Sequence, residues 1–179
     1  MKKFMIVDMR SLFNKILVLT ILKAGVLSCT SSTNINNQAE KKNNQQITDT
    51  ILHKMNQYAD ALNRMDSAAL LSCYVAGDEF RLYSDGKVLS YEEMKTIAGG
   101  LKNGFNSVHV SWDTILVTLP SNTVALATAP FHRKLVDTAG KIIQDRGVAN
   151  WLFVISNGQW KMFYGHGDHY PEKQKPEKK

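Results

Sequence analysis

Cysteine is scarce: Cys29 and Cys73 are the only two in 179 residues, too few for a disulfide framework. Cys29 closes an N-terminal apolar stretch and Cys73 falls near the end of an expected helix, so the two are poorly placed to pair. A lone Cys73 among apolar neighbours reads as a small buried hydrophobe. Long apolar runs are missing as well. The apolar core of the N-terminal stretch, residues 16–22, has seven residues, and a spanning helix needs about 20. There is no Gly-rich phosphate loop, no nucleophile elbow and no zinc motif, so none of the enzyme classes with those signatures is indicated. Excess cation is missing from the body of the chain. The formal charge is +6, but residues 1–28 carry five Lys/Arg against one Asp, residues 30–46 net +1 and residues 171–179 net +2. Residues 47–170 hold eleven Lys/Arg against twelve Asp/Glu. A nucleic-acid partner is therefore not expected, because phosphate neutralisation needs cations clustered on a folded face. With 44% hydrophobic residues, the chain has material for one core and is too short for two ordinary domains.

What the ends do have is an export pattern. Lys2, Lys3, Arg10 and Lys15 precede the apolar residues 16–22, and Val26-Leu27-Ser28-Cys29 follows. This tetrapeptide resembles the bacterial lipobox, in which a small residue precedes a cysteine that is diacylated and becomes the new N-terminus. The resemblance implies a signal peptide over 1–28, a lipid anchor on Cys29, and attachment to a membrane of the bacterial cell envelope on its periplasmic or extracytoplasmic face. Leu27 is bulkier than usual at its place and Lys23 interrupts the apolar run, so ordinary signal-peptidase cleavage, an uncleaved anchor and an interfacial amphipathic helix stay open. Residues 30–46 are almost wholly polar and read, with Cys29, as a structureless tether reaching about 20–25 Å. Residues 171–179 read as a solvated basic tail.

From Ile47 the pattern turns helical, with Ile47, Ile51, Met55, Tyr58 and Leu62 recurring at three and four residues. Asp66 is placed as the N-cap of a short second helix ending about Tyr74, and Ser90-x-x-Glu93 as a capping box opening a third helix toward Phe105. Between them, Phe80-Arg81-Leu82-Tyr83 reads as a strand and Ser84-Asp85-Gly86-Lys87 as its turn. Strands follow over 108–119, 124–136, 142–155 and 159–166, divided by turn residues at Pro120-Ser121-Asn122, Asp137-Thr138-Ala139-Gly140 and Ser156-Asn157-Gly158. The fold class is α+β, three helices packed on a strongly curved antiparallel sheet over residues 47–170. Strands of this length call for bends or bulges.

The run from Tyr58 to Leu70, the Ser84–Lys87 turn and the closing Asn157-Gly158-Gln159-Trp160-Lys161-Met162-Phe163-Tyr164-Gly165-His166 together resemble the nuclear transport factor 2-like, SnoaL-like superfamily. That resemblance spans about residues 47–169. It implies a cone-shaped pocket and frequent pairing of two copies through the outer face of the sheet. It also implies that the pocket side of the last strand is the face shared by Trp160, Met162, Tyr164, His166 and Asp168 under period-two alternation. Relatives often carry two histidines there, where this chain has Tyr164 and His166.

The expected ligand-binding residues are Tyr58, Arg146, Trp160, Tyr164, His166 and Asp168. The polar groups of the last strand either meet a ligand or satisfy one another. Arg146 is preferred over Arg133 as a carboxylate partner, although small Ala125, Ala127 and Ala129 set against Phe131 and Arg133 hint at tight packing. Which face of the 124–136 strand lines the cone stays open. Metal binding is not expected: in His166-x-Asp168-His169 the last histidine faces away on a regular strand, and no third ligand is near. No cofactor is implied. The expected function is a membrane-anchored domain binding a small organic molecule, with a homodimer as its assembly. The alternative is a ketosteroid-isomerase-like or cyclase-like acid/base enzyme, in which Tyr58 would serve as hydroxyl donor and Asp85 or Asp168 as carboxylate. Asp85 sits in a turn where Asp is favoured for local backbone bonding, which weakens that alternative.

Overall fold

The computed structural model describes residues 30–171, with side chains from Asn37 onward; the leader, Cys29 and residues 172–179 lie outside the described residues. The described residues fall into two units that divide between Asn43 and Asn44. Of the first unit, the described part is helix, with every side chain from Asn37 to Asn43 exposed.

Helix α1 spans Thr30–Asn63, so the polar segment expected as a structureless tether is helical here. Its composition explains how this can happen without burial. Residues 30–46 contain neither Gly nor Pro. Starting a helix is the costly step, and the packed turns from Ile47 onward supply that start for their polar extension. At the junction Gln45 Nε2 donates to Asp49 Oδ1 at 2.9 Å. From Ile47 the apolar stripe is buried, with Ile51 and Met55 fully so. Met65, at φ +50°, stops the helix, and the Asp66 N–H closes on the Ala61 carbonyl at 2.9 Å.

Asp66 then caps α2 (Ser67–Ser72), its carboxylate accepting from the Ala69 N–H at 3.0 Å. Strands β1 (Arg81–Ser84) and β2 (Lys87–Leu89) form the first hairpin. The Ser90/Glu93 capping box opens α3 (Tyr91–Gly104), as its sequence predicts. Five strands follow: β3 (Phe105–Trp112), β4 (Leu116–Ser121), β5 (Val124–Asp137), β6 (Ile142–Ser156) and β7 (Gln159–Pro171). They join one curved seven-stranded sheet in the order β2-β1-β7-β6-β5-β3, with β4 beside β3's position on β5. The α+β class stands, with one correction. The sheet is mixed, because β1 runs parallel to β7, pairing Ser84 with Gly167.

The strand expected over 108–119 is two strands. Asp113 donates its N–H to the Pro130 carbonyl at 3.0 Å. In an antiparallel ladder a residue's N–H and C=O point to the same side, so the donor that Pro130 lacks is missing on the side of β3 and β4. The ladder breaks there.

A second irregularity decides the site. Leu152 pairs with Tyr164, but Phe153 pairs with Met162, which leaves Phe163 as the extra residue of a bulge in β7. Before the bulge Met162 faces the core at 0% exposure; after it the odd-numbered residues Gly165, Gly167 and His169 face inward. On β5 the inner face is Ala125, Ala127, Ala129, Phe131 and Arg133, in register with Phe153, Trp151, Ala149, Gly147 and Asp145 of β6. The three alanines, all at 0% exposure, let the helices approach closely over the narrow end of the sheet.

Candidate functional site

Where β5 passes from alanine to Phe131, Arg133 and Leu135, the helices no longer fill the concave face. A cavity of about 370 Å³ remains. Its walls are Tyr58 and Leu62 of α1, Leu82, Ser84, Asp85 and Leu89 of the first hairpin, and Met94, Ile97 and Leu101 of α3. The sheet supplies Val108, Val110, Trp112, Phe131, Arg133, Leu135, Ala149 and Trp151, and β7 supplies His166, Gly167 and His169. Apolar side chains dominate, with a few polar groups at fixed places.

Two of those places are ion pairs. Arg133 forks onto Asp145, with Nε to Oδ1 at 3.0 Å and the second nitrogen to Oδ2 at 2.6 Å. Asp145 is the charged residue buried among the described core residues, so its partner is needed. At the rim, Asp85 accepts from the His169 backbone N–H at 3.0 Å, while its other oxygen lies 2.8 Å from His169 Nδ1. Slight burial would raise the Asp85 pKa, but the hydrogen bonds and charge of His169 outweigh it and hold the carboxyl below its ordinary value. The His169 ring is steadied by an edge contact to Phe131, centroids 5.3 Å apart.

Deeper in, an aromatic cluster forms the wall. Tyr58 stacks on Trp112 at 6.2 Å and meets Trp151 edge-on at 5.4 Å; Tyr74 lies 5.8 Å from Trp151. Burial pushes the Tyr58 hydroxyl above its ordinary pKa, and Tyr74 further still. Both are neutral phenols at physiological pH.

The expected site residues divide. Tyr58 and His166 line the cavity. Arg146, Tyr164 and Asp168 do not. Past the Phe163 bulge Tyr164 and Asp168 lie outside the cavity lining: Tyr164 packs tilted against Tyr83, ring centroids 5.4 Å apart, and Asp168 Oδ2 lies 3.7 Å from Nε2 of His166, whose side chain is half-exposed. Arg146 is exposed on the outer face in the row of His132 and Tyr170, because Asp145 and Gly147 take the inner positions. The arginine of the cavity is Arg133. Trp160 pairs with Ile155 beside the last turn and packs on the core, outside the cavity lining. Sequence reasoning weighed His169 only as a metal ligand, set it aside, and did not single out Trp151. His169 carries the Asp85 contact that the turn-local reading of Asp85 did not anticipate.

Cys73 is half-buried, its thiol 3.5 Å from the Ala69 carbonyl. Among the described residues no group of three or more His, Cys, Asp or Glu is placed to hold a metal ion, and no helix is long and apolar enough to cross a membrane.

No family model and no curated protein matches the sequence. Solved structures do match. One is a protein of Novosphingobium aromaticivorans provisionally named a scytalone dehydratase, at TM-score 0.67 and 16% identity over 73% of this chain and 88% of that one. Another is a nuclear transport factor 2-like superfamily protein of Salmonella enterica, at TM-score 0.62 and 15% identity over 78% and 99%. A third is a hexachlorocyclohexane dehydrochlorinase, at TM-score 0.64 and 11% identity over 75% and 94%.

Proposed function

We propose that this chain, whose folded unit is a nuclear transport factor 2-like domain, holds one small, largely apolar organic molecule in the cavity between its helices and its sheet. The observation that carries this reading is the cavity itself: about 370 Å³, walled by apolar and aromatic side chains, with a few fixed polar groups. That is the size and chemistry of small-molecule sites in general. Acylation at Cys29 would place the site at an extracytoplasmic membrane face of a bacterial envelope, and the polar helix that follows Cys29 would act as the spacer. Native mass spectrometry of the full chain purified from its own cells tests the binding reading. A retained organic mass released on unfolding is expected, and a bare polypeptide mass under gentle conditions counts against it. Cys29→Ala should leave the membrane fraction; unchanged partitioning would remove the anchor from the account.

A second reading is favoured by one contact. Asp85 and His169 form a carboxylate–imidazole pair at the rim, the arrangement that lets an imidazole act as a base while the carboxylate fixes its tautomer. Two of the matching structures carry enzyme names, which is compatible with proton transfer on this fold. If the pair removes a proton from carbon, 2-tetralone in heavy water should take up deuterium next to its carbonyl faster with the protein than without. Asp85→Asn and His169→Gln should abolish the acceleration, and its persistence in both would end this reading.

A further inference from the structure

Arg133 is the permanent cation of the cavity wall, which no lysine lines. On the inner face of β5 it stands in register with Val110 of β3 and Asp145 of β6, and buried Phe131 and Leu135 flank it two residues away on the same face.

Its guanidinium is held but not used up. Nε donates to Asp145 Oδ1 at 3.0 Å and Nη2 to Oδ2 at 2.6 Å. A guanidinium carries its N–H groups in one rigid plane, so a fork of two bonds along one edge fixes the direction of the rest. The third nitrogen, Nη1, with two N–H groups, has no hydrogen-bond partner among the described residues. Nor is it buried: the buried side-chain polar atoms without a partner are the Tyr74 hydroxyl and Trp151 Nε1. Nη1 therefore has open surface. That surface belongs to the cavity, because Arg133 lines it with a side chain 27% exposed, whereas Asp145, at 9%, is no part of the lining. The charge reaches Tyr58 on the helical wall, where burial raises the phenol pKa and Arg133 pulls against that rise.

The surrounding charges decide what Nη1 can take. Asp145 already compensates Arg133, and Asp85, paired with His169, brings a second carboxylate to the same wall. An entering carboxylate would give up its hydration to meet a compensated guanidinium and two resident anions. A carbonyl oxygen loses far less on entry and accepts the same N–H groups in a charge-assisted hydrogen bond, strengthened by the apolar side chains around it.

We propose that Arg133, oriented by Asp145, is the specificity-determining residue of the cavity: its free N–H groups bind a carbonyl-type oxygen on an uncharged, otherwise apolar ligand. This rests on the cavity being the ligand site.

The test uses three probes with one bicyclic skeleton, tetralin, 1-tetralone and tetralin-1-carboxylate, titrated at neutral pH into the full chain. Two double variants, Arg133→Met with Asp145→Leu and Arg133→Met with Asp145→Asn, remove the donor without leaving a buried charge unpaired, a change that folded proteins commonly accept. Asp145→Asn alone keeps the donor and releases its charge. With the natural chain, 1-tetralone should bind about tenfold more tightly than tetralin, the range of one hydrogen bond to a charged donor, and the carboxylate more weakly than the ketone. The ketone preference should vanish in both double variants, and in Asp145→Asn the carboxylate should gain on the ketone. Equal binding of tetralin and 1-tetralone by the natural chain, a ketone preference that survives in either double variant, or a natural chain that prefers the carboxylate overturns the proposal. The underlying reading fails separately: tetralin binding that Ala149→Phe blocks, without a ketone preference, leaves the cavity as a site and removes Arg133 as its reader. No binding of tetralin or 1-tetralone removes both.

Discussion

Gly165→Ala adds one methyl group where the structure has no room. The new Cβ would lie 2.6 Å from Trp151 Cε3 and 2.8 Å from Cη2, against about 3.5–4.0 Å for carbon atoms in ordinary contact. About 1 Å of overlap must be relieved. The ring has Tyr58 and Tyr74 behind it, and β7 is fixed on both sides by β1 and β6. Overpacking of this kind costs about 1–3 kcal/mol, and a site with two fixed partners belongs near the upper end. The comparison is Gly99→Ala in α3, exposed and with nothing within 4 Å of an added Cβ. That change should stabilise by about 0.5–1 kcal/mol, since alanine loses less backbone freedom in a helix. Urea unfolding followed by far-ultraviolet circular dichroism reads both, and the two variants should differ by roughly 3 kcal/mol. Near-ultraviolet dichroism should change for Gly165→Ala alone. If Gly165→Ala unfolds with the natural midpoint and an unchanged aromatic spectrum, the seat of Trp151 against β7 has been misjudged.

Asp85 links stability to pH. Its pKa is held below the unfolded value, so the stabilisation it gives is present above the unfolded carboxylate pKa, about 3.9, and is lost as pH falls through the folded value. Its side chain is 53% exposed, so the effect should stay below about 1 kcal/mol; Asp85→Asn, which suits the φ of +50°, should lower the urea midpoint at pH 6, and the difference should shrink as pH falls below the ordinary carboxylate range, whereas a constant difference throughout would contradict the His169 link. The outer sheet face carries Leu126, Leu152 and Tyr164 in one register row and Val148 four residues before Leu152 on β6, and Val148 and Tyr164 are exposed. We expect a homodimer through this face, broken by Leu152→Arg; sedimentation showing a natural chain that is monomeric at tens of micromolar would refute it.

What was legible in the sequence was local. The stripe beginning at Ile47, the Asp66 cap, the Ser90/Glu93 box and the Ser84–Lys87 turn each depend on neighbours within four residues. The candidate site depends on distant pairings. Alternation along the last strand is sound on either side of Phe163, but the bulge reverses it, so Tyr164 and Asp168 exchange places with Gly165 and His169. Arg133 and Arg146 each alternate correctly within their strands; only the register of β5 with β6 shows that Asp145 waits opposite Arg133. Asp85 does sit in a turn at positive φ, as a turn aspartate should, yet its carboxylate is spent on His169, 84 residues away, through the parallel β1–β7 pairing. The polar run before Ile47 carries no burial signal, and its helicity follows from its continuity with a packed helix.

The central claim is that the cavity is a binding site, and the most direct measurement is a titration of N-phenyl-1-naphthylamine, an uncharged fluorescent probe, into the full chain and into Ala149→Phe. Ala149 lies on the cavity floor, so the larger side chain takes up its volume from within. The account predicts saturable binding at one probe per chain, with Kd on the order of micromolar, and its loss in Ala149→Phe while far-ultraviolet dichroism stays unchanged. Equal binding by a folded Ala149→Phe, or no saturable binding by the natural chain, would contradict it.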